Sequence, residues 1–564
     1  MVYDLVIRGG QVLDGTGLPA FIADVAVADG RIVRIGKVEG EARRSVNAEG
    51  RWVTPGFIDV HTHYDVQLDW DPIASPAPQH GVTTVLTGNC GFTLYPAKPE
   101  DVSWLAGMLS RVEGMSKRAM GEGFRFEGGG FEDFWKRLDG RLGVNAGGYV
   151  GHCALRRYVM GEDASERVAK PDEIEAMQAL LRQGMREGAV GFSTSQLEVH
   201  VGEDGRGVPS NFAAPEEVVA LAAALSDFDH GAIEIITRSF AEGYDEDDRR
   251  LLLEMARVSG KPIELGPLAP TPQHPMAWER SLDFVREARA QGVRLHPQFT
   301  TQRLGLHLRL LDTFVFDEML TWRESLTLPL AERLRALRDP DRRGRMRAEY
   351  VQDTQRAVAF DLADLEVEWV RDSEHADWLG RTLAELVAAG TGSGDELDTF
   401  LDLSLSEDLE TIWRIRTSDV AREFMDHVVR TTVQDPLVMA GSSDGGAHLA
   451  SFVGADFTTL LLSDWVPDPL SLEHAVWRLT GMPAAVHGLR DRGVIRVGAH
   501  ADLVVIDPES LRGEEHQLVR DFPGDTERYY VGAQGYEMVV INGVPVMEKG
   551  AHTGALPGQV IRGA

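Results

Sequence analysis

Apolar and polar residues alternate in short stretches at both ends of the chain. Four such stretches lie within residues 3–48, separated by Gly or Asp-Gly, and the same pattern returns at 493–511 and 536–550. Alternation with a period of two is typical of half-buried β-strands joined by hairpins. Because neither end has enough residues for a core of its own, we predict one small β-sandwich built from 1–53 and 488–564.

The middle of the chain alternates short apolar runs with amphipathic stretches at helical spacing. Eight runs have the length and composition of buried strands, at 52–61, 81–89, 145–152, 188–195, 231–238, 261–268, 292–299 and 435–444. This alternation predicts an α/β fold, a TIM-like (β/α)8 barrel over residues 54–487. In such a barrel the active-site residues lie where the strands end.

The alternation of predicted strands and helices stops between residues 302 and 430. This section is long, highly charged and mostly helical in its pattern. Because it is far longer than an ordinary connection, we predict a helical insertion that forms a lid over the barrel mouth. A contact between copies of the chain in a homo-oligomer is the alternative.

Composition narrows the class of protein. The chain has 564 residues, with 57 Lys and Arg against 88 Asp and Glu, giving a formal net charge of −31. This balance argues against nucleic acid or an anionic membrane as a partner, because both bind clustered basic residues. Asp4 and Arg8 interrupt the stretch where a signal peptide would be apolar. With only two cysteines, we expect a cytoplasmic enzyme that acts on a small molecule.

The strongest local signal is an apolar strand that ends in His61-Thr62-His63. In a strand, residues two apart point to the same side, so both imidazoles can bind one metal ion. Two histidines at this spacing also occur by chance on surfaces. Their position at the catalytic end of a predicted barrel strand favours the metal site.

Two more predicted strands end in residues that bind metals. Asp444 lies in the sequence SSDG after an apolar run, where a carboxylate can bind a divalent ion and take a proton from its water. The alternative is an Asp-Gly turn. Cys90 lies in GNCG after another apolar run, on the same predicted rim. The alternative for Cys90 is a small buried hydrophobic side chain with no further role. We interpret Cys153 in this second way.

Five stretches of the sequence carry a family resemblance: PGFIDVHTHYD, GNCGF, GAVGFSTS, SSDGG and LTGMPAAVHGLRDRGVIRVGAHADLVVID. With them the chain resembles the amidohydrolase superfamily, and specifically its N-acyl-D-amino-acid deacylase (D-aminoacylase) branch. The resemblance implies a TIM-like barrel, a composite β-sandwich, and one or two divalent metal ions, zinc first, that activate water against an amide carbonyl. It implies that His61, His63 and Cys90 are metal ligands, and that Asp444 is the catalytic aspartate and a further ligand.

The chain departs from that branch at two barrel strands, so we interpret it as a divergent member. The strand-five and strand-six histidines of the deacylases have no match within 234–238 or 264–267, and each stretch carries a glutamate instead. An unpaired carboxylate inside an apolar strand is costly. We therefore expect Glu234 and Glu264 to pair with a cation or to bind metal.

A further departure concerns the substrate. The arginine that follows the catalytic aspartate in the family has no match, since His448 is followed by LASFVGADFTTLL. Arg156 and Arg238 are our candidates to bind a substrate carboxylate, with an ordinary salt-bridge or rim arginine as the alternative. His152 matches a Gly-His motif of the family and is a candidate substrate contact or replacement ligand. The remaining rim histidines, His200 and His296, we expect to be structural.

These features predict a metal-dependent amidohydrolase that cleaves a linear amide, first of all the acyl bond of an N-acyl amino acid. Hydrolysis of a cyclic amide, a carbamate or a dipeptide on the same barrel is the second hypothesis, because the insertion and the missing arginine leave the substrate open. A non-catalytic binding or assembly protein that kept the fold is the third. The HxH, GNCG and SSDG motifs argue against this last hypothesis.

Overall fold

The N-terminal region forms one part of a β-sheet. The computed structural model describes residues 2–268, 274–299, 301, 305–352, 360–392 and 394–563. Its first strands are β1 (Tyr3–Val12), β2 (Phe21–Ala28), β3 (Arg31–Gly36), β4 (Ala42–Asn47) and β5 (Trp52–Pro55). Strand β1 pairs with β2 antiparallel and with β4 and β5 parallel. One edge of β5 is therefore left for a partner from elsewhere in the chain.

Parallel strands and helices follow in alternation. The strands are β6 (Phe57–Asp59), β7 (Val82–Thr87), β8 (Asn145–Gly148), β9 (Val150–Gly151), β10 (Gly191–Ser195), β11 (Ala232–Ile236), β12 (Ile263–Pro267) and β13 (Leu295–Phe299). The helices are α1 (Val102–Val112), α2 (Lys117–Gly123), α3 (Phe131–Lys136), α4 (His152–Met160), α5 (Pro171–Arg186), α6 (Pro215–Ala224), α7 (Glu246–Ser259) and α8 (Ala277–Ala290). Only Tyr149 separates β8 from β9, so these two short strands share one position in the barrel.

The section after β13 has a hydrophobic core of its own. It contains β14 (His307–Leu308), α9 (Leu320–Leu326), α10 (Leu330–Ala336), α11 (Pro340–Gln352), β15 (Leu365–Trp369), α12 (Leu383–Ala388), α13 (Glu396–Ser406), β16 (Ile412–Ile415) and α14 (Asp419–Thr432). Phe316 and Trp322 stack at a centroid distance of 4.2 Å within this core. The three strands form a small antiparallel sheet. The helical pattern predicted from the sequence missed that sheet because its strands are only two to five residues long.

The last barrel strand is followed by three helices. These elements are β17 (Met439–Ala440), α15 (Phe457–Asp464), α16 (Leu472–Leu479) and α17 (Gly481–Val486). Strand β17 pairs in parallel with β13. A parallel bridge between Thr62 and Gly445 joins the ends of β6 and β17 and closes the ring. The predicted barrel of eight parallel strand positions is confirmed.

The C-terminal region completes the sheet begun by β1–β5. It contributes β18 (Leu503–Ile506), β19 (Arg512–Gly513), β20 (Gln517–Phe522), β21 (Thr526–Tyr530), β22 (Ala533–Gln534), β23 (Tyr536–Ile541), β24 (Val544–Glu548) and β25 (Ala551–His552). Strand β18 lies between β5 and β23 and pairs antiparallel with both, giving one nine-stranded sheet. The predicted small β domain assembled from both termini is confirmed. Among the described residues, no helix is long and apolar enough to cross a membrane.

The predicted strand at 52–61 is two strands that belong to different sheets. Residues 52–55 pair with β1 and β18, whereas β6 pairs with β7 in the barrel. Gly56 forms the joint, and a Cβ atom there would lie 2.1 Å from the Thr83 hydroxyl oxygen. No residue with a side chain fits this close approach. The wider division of the chain at residues 53/54 and 487/488 stays a prediction.

A buried polar network joins the two sheets. The Asp502 carboxylate accepts hydrogen bonds from the Asn145 side chain, on β8, and from the Asn542 backbone, at 3.2 and 2.7 Å. It also pairs with Arg492, and both side chains are about 5% exposed or less. The Asp502 carbonyl in turn accepts the Gly56 N–H at 2.8 Å. One carboxylate therefore fixes the barrel against the composite sheet.

Removal of the Asp502 carboxylate is expected to destabilise the protein strongly. Asp502→Ala leaves the Arg492 guanidinium buried without its counter-charge, which costs about 3–5 kcal/mol. The control is Asp247→Ala, which breaks an exposed pair with Arg250 and costs at most about 1 kcal/mol. Urea unfolding of both variants measures the difference. Equal shifts of the two midpoints would show that the network does not hold the sheets together.

Candidate metal and catalytic site

The site lies where the first, second and last barrel strands end. His61 and His63 follow β6, Cys90 follows β7 and Asp444 follows β17. The closure of the barrel brings the first and last of these segments together. The His63 N–H donates to the Gly445 carbonyl at 2.7 Å, and the Asp444 N–H donates to the His61 carbonyl at 3.2 Å.

Three predicted ligands form one group. A ring nitrogen of His61, a ring nitrogen of His63 and the sulfur of Cys90 all lie within 4.8 Å of one another. The sulfur is 3.4 Å from His61 Nε2. All three residues are buried. Two imidazoles and a thiol at this spacing fit a zinc-like ion.

Asp444 faces the same group from the last strand. Its Oδ1 is 3.2 Å from His63 Nε2 and 3.9 Å from His61 Nε2. Burial on its own would raise the pKa of Asp444, but the close approach and charge of His63 hold that pKa below its ordinary value. Burial lowers the pKa of His61 to about 4, which leaves a neutral imidazole as a metal ligand requires.

Unpartnered polar atoms support a metal at this position. Both ring nitrogens of His63 and Nδ1 of His61 are buried and have no hydrogen-bond partner among the described residues. A buried polar group without a partner costs free energy. Of these atoms, Nε2 of His63 faces Asp444, beside Nε2 of His61, and a bound divalent cation would use its lone pair. The donor set therefore fits the metal that the sequence predicts.

Three residues of the site have left-handed backbone. The φ angles are +56° at Cys90, +55° at Asp444 and +50° at His448. Residues with a side chain seldom adopt this region, and each instance costs about 1–3 kcal/mol. The fold holds the three side chains at the rim against this cost, which is typical of functional sites.

Glu113 is a site residue that the sequence analysis missed. It follows α1 directly and its carboxylate lies 3.6 Å from His63 Nδ1. With His63 and Asp444 it forms a second group whose ligand atoms lie within 4.8 Å. His448 Nε2 is 3.6 Å from Glu113 Oε2 and 3.8 Å from Asp444 Oδ2. Only the long excursion between β7 and β8 brings Glu113 here, and no motif marks it in the sequence.

The two glutamates at the strand-five and strand-six positions have different environments. Glu264 pairs with His487 Nε2 at 2.9 Å and accepts a hydrogen bond from the Tyr149 hydroxyl at 3.1 Å. Gln298 donates to its other oxygen. Glu234 accepts the Cys90 N–H at 2.6 Å, and its Oε1 has no hydrogen-bond partner among the described residues. Glu264 thus meets a protein partner, whereas one oxygen of Glu234 is left over.

Two of the three predicted substrate residues are engaged elsewhere. The His152 ring nitrogens lie 2.8 Å from the Thr194 hydroxyl and 2.9 Å from Glu217. Arg156 is fully buried and pairs with both oxygens of Glu217. His152 and Arg156 stabilise the buried Glu217 carboxylate, so their polar atoms are not available to bind a substrate. The expectation that His152 and Arg156 bind substrate is therefore corrected.

Arg238 differs from these two residues. It follows β11 at the rim of the barrel, is exposed, and forms no salt bridge with the part of the chain that the structure describes. Its guanidinium is therefore available to an anionic ligand.

The insertion reaches the site through one aromatic side chain. Phe314 packs on the His448 ring at a centroid distance of 4.3 Å. Both residues line a cavity of about 170 Å³, which Leu197, Val199 and Val201 border on the other side. Arg111, Asp317 and Glu318 line the cavity as well, and it lies beside the ligand groups.

Comparisons with known proteins agree with this geometry. The family model described as "Amidohydrolase family" matches residues 44–547. An N-acyl-D-aspartate deacylase and a D-aminoacylase, both of Alcaligenes xylosoxydans xylosoxydans, are 30% and 28% identical to the chain. Each match covers 99% of the chain, and 95% and 97% of the respective relative.

A solved structure extends the likeness to three dimensions. The N-acyl-D-glutamate deacylase of Bordetella bronchiseptica, complexed with zinc and a phosphonate inhibitor, is 26% identical and superposes with a TM-score of 0.68 over the whole of both chains. The resemblance stated from the sequence motifs is confirmed. Since the family model spans nearly all of the barrel and much of the composite sheet, the chain belongs to the amidohydrolase family.

Proposed function

We propose that the protein is a metal-dependent hydrolase of a linear amide and that it removes the acyl group from an N-acylated amino acid. The joint presence of His61, His63, Cys90 and Asp444 at one rim carries this proposal. The deacylases among its relatives support the choice of substrate. No feature of the described residues favours a cyclic amide, a carbamate or a dipeptide as the substrate.

The two histidines, Cys90 and Asp444 would hold the ion. When bound, a zinc ion lowers the pKa of water toward about 7 and polarises an amide carbonyl. His61 contributes a nitrogen that is already neutral, whereas, against the effect of burial, the acidic neighbours of His63 raise its pKa to about 9, so His63 would release a proton on binding the ion. Glu234 fixes Cys90 by accepting its backbone N–H. Asp444 is 24% exposed in its side chain and so faces the opening. It takes a proton from the attacking water and delivers it to the leaving amine.

The substrate carboxylate would bind Arg238. This arginine is the exposed member of our two candidates, and it lies at the rim next to the strand that carries Glu234. A guanidinium is suited to a carboxylate because it donates two parallel hydrogen bonds. The net charge of −31 repels an anionic substrate, so a cation at the rim would favour its binding.

The insertion would act as a lid over this site. Phe314 contacts His448, and the pair Arg111–Asp317 joins α1 to the same segment of the insertion. A cover of this kind excludes water from the reacting groups. We also propose a cytoplasmic location, which two unpaired cysteines support, and leave a homo-oligomer as an expectation.

Loss of one ligand and loss of the proton acceptor are expected to have different effects. His61→Ala should lose both bound metal and activity. Asp444→Asn should lower kcat by about 10²–10⁴, the usual contribution of a general base. Metal analysis and hydrolysis of N-acetyl-D-amino acids measure both effects, with exposed His474→Ala as the control. Full activity in either site variant would exclude this mechanism.

Replacement of Arg238 should affect substrate binding more than chemistry. Arg238→Met is expected to raise KM for N-acyl amino acids at least about tenfold, because a charged hydrogen bond contributes about 1.5–3 kcal/mol. The corresponding N-acyl amine, which has no carboxylate, should show no such change. Arg250→Met, on the exposed face of α7, is the control. An unchanged KM would show that another group receives the carboxylate.

A substrate panel distinguishes the hypotheses on function. The panel contains N-acetyl-D- and L-amino acids, cyclic imides, carbamates and dipeptides. We expect hydrolysis of N-acetyl amino acids with the highest kcat/KM. A preference for cyclic imides or dipeptides would contradict the deacylase proposal. A protein that binds metal stoichiometrically but hydrolyses nothing in the panel would favour a non-catalytic role.

A further inference from the structure

The segment that follows Asp444 is held from two sides. The Tyr529 N–H, on β21, donates to the Leu449 carbonyl at 2.7 Å. The His307 N–H, on β14, donates to the Ser451 carbonyl at 2.8 Å. Strand β21 belongs to the C-terminal region and β14 to the insertion. Two distant parts of the chain therefore meet on one short segment at the barrel mouth.

The side chains of these two donor residues share one carboxylate. The His307 and Tyr529 rings stack at a centroid distance of 4.1 Å. Glu368, on β15 of the insertion, accepts a hydrogen bond from the Tyr529 hydroxyl at 3.0 Å. The same carboxylate oxygen is hydrogen-bonded to His307 Nδ1. We refer to His307, Glu368 and Tyr529 together as the clasp.

The clasp combines two buried rings with an ionised carboxylate. His307 and Tyr529 are 5% and 2% exposed, whereas the Glu368 side chain is 30% exposed. Burial on its own would raise the pKa of Glu368, but the hydrogen bond and charge of His307 hold that pKa below its ordinary value. An ionised carboxylate only accepts hydrogen bonds, so both rings donate to it. Such charge-assisted bonds are strong and fix the two rings in one arrangement.

The segment held by the clasp reaches the site through His448. The His448 carbonyl accepts the N–H groups of Ser451 and Phe452, at 2.6 and 2.9 Å. Its Nε2 lies 3.8 Å from Asp444 Oδ2. Its φ angle is +50°, so the fold has to hold the backbone here against its own preference. A shift of Ser451 would therefore move His448 relative to Asp444.

A second contact joins the same two regions without reaching this segment. Arg309, which lies just after β14, forms an ion pair with Glu527 on β21. The two side chains are 14% and 16% exposed. Within the described part of the chain, neither side chain hydrogen-bonds to residues 448–451. This ion pair is therefore a matched comparison for the clasp.

We propose that Glu368 is a positioning residue that holds His448 beside Asp444 through the clasp. The inference rests on the proposed function, because Asp444 is the proton acceptor of that reaction. Through the clasp, the insertion and the C-terminal region together fix the segment after the last barrel strand. The insertion thus contributes to the rate of hydrolysis as well as covering the site.

Removal of the Glu368 carboxylate is expected to slow the reaction more than it weakens substrate binding. Glu368→Ala should lower kcat at least about tenfold, because a misplacement of about 1 Å can cost a factor of about 10². KM and bound Zn²⁺ should change little, because Arg238 and the ligands that follow β6 and β7 stay in place. Glu368→Gln keeps an oxygen that can accept both hydrogen bonds, so it should lose less. Glu527→Gln, in the matched ion pair, should keep the kcat of the wild type.

Hydrogen–deuterium exchange of residues 447–452 gives a readout that does not depend on activity. Exchange should become faster in Glu368→Ala and stay unchanged in Glu527→Gln. Unchanged exchange in Glu368→Ala would overturn the inference. Faster exchange with the kcat of the wild type would also overturn it, as would equal losses of kcat in Glu368→Ala and Glu527→Gln.

The wild type distinguishes a failure of this inference from a failure of the proposed function. An active wild type with an equally active Glu368→Ala overturns the positioning role alone. A wild type that hydrolyses no amide overturns the proposed function and the positioning role with it. Thermal melting checks that Glu368→Ala is folded. If it is not, Tyr529→Phe replaces it, since this variant loses only the hydroxyl, and it should show the same two changes to a smaller degree.

Discussion

The bridge between Thr62 and Gly445 closes the barrel, and the metal site depends on that closure. The first strand brings the HxH pair, and the last strand brings Asp444, which lies some 380 residues later in the sequence. Two backbone hydrogen bonds across the seam set the position of the carboxylate relative to the imidazoles. The composite sheet is connected directly to this seam, because β5 leads through Gly56 into β6. The assembly of both termini into one small domain therefore helps to fix the relative positions of His61, His63, Cys90 and Asp444.

Electrostatics explains why the site needs a cation. The barrel interior places carboxylates at the ends of several strands, and the histidines that face them are themselves buried. Burial disfavours the charged forms of both residue types, and a bound cation would favour the ionised carboxylates and neutral imidazoles that bind it. Glu264 forms an ion pair with His487 and accepts a hydrogen bond from Tyr149, and these contacts offset the cost of its burial. Within the described part of the chain, the ion-pair partners of Asp444 and Glu113 are histidines, at 3.2–3.9 Å, and these groups together could hold a cation.

The sequence was informative wherever function and local pattern coincide. The eight strands, the composite sheet, and the positions of His61, His63, Cys90 and Asp444 at strand ends all follow from runs of a few residues. The residues that could not be predicted depend on distant contacts. Arg156 and His152 are explained by Glu217, about 60 residues away, and Glu264 by His487, 223 residues away. Glu113 follows an ordinary helix and acquires its place only when the excursion after β7 folds back.

The small sheet of the insertion and the split of the strand at Gly56 have the same explanation. Strands of two to five residues leave no periodic pattern that is long enough to distinguish from a helix or a turn. Whether such a short segment forms a strand depends on its pairing partner, and this partner comes from another part of the chain. Hydrophobic periodicity therefore predicted the barrel and the composite sheet, and it missed short strands whose formation depends on distant pairing.

Anomalous diffraction from crystals grown with Zn²⁺ is the sharpest test of the proposed metal site. Data collected on both sides of the zinc absorption edge locate the ion without reference to activity. We expect a peak bounded by His61, His63, Cys90 and Asp444, with Glu264 still paired to His487. A peak on Glu264, or none within reach of the HxH pair, would contradict it.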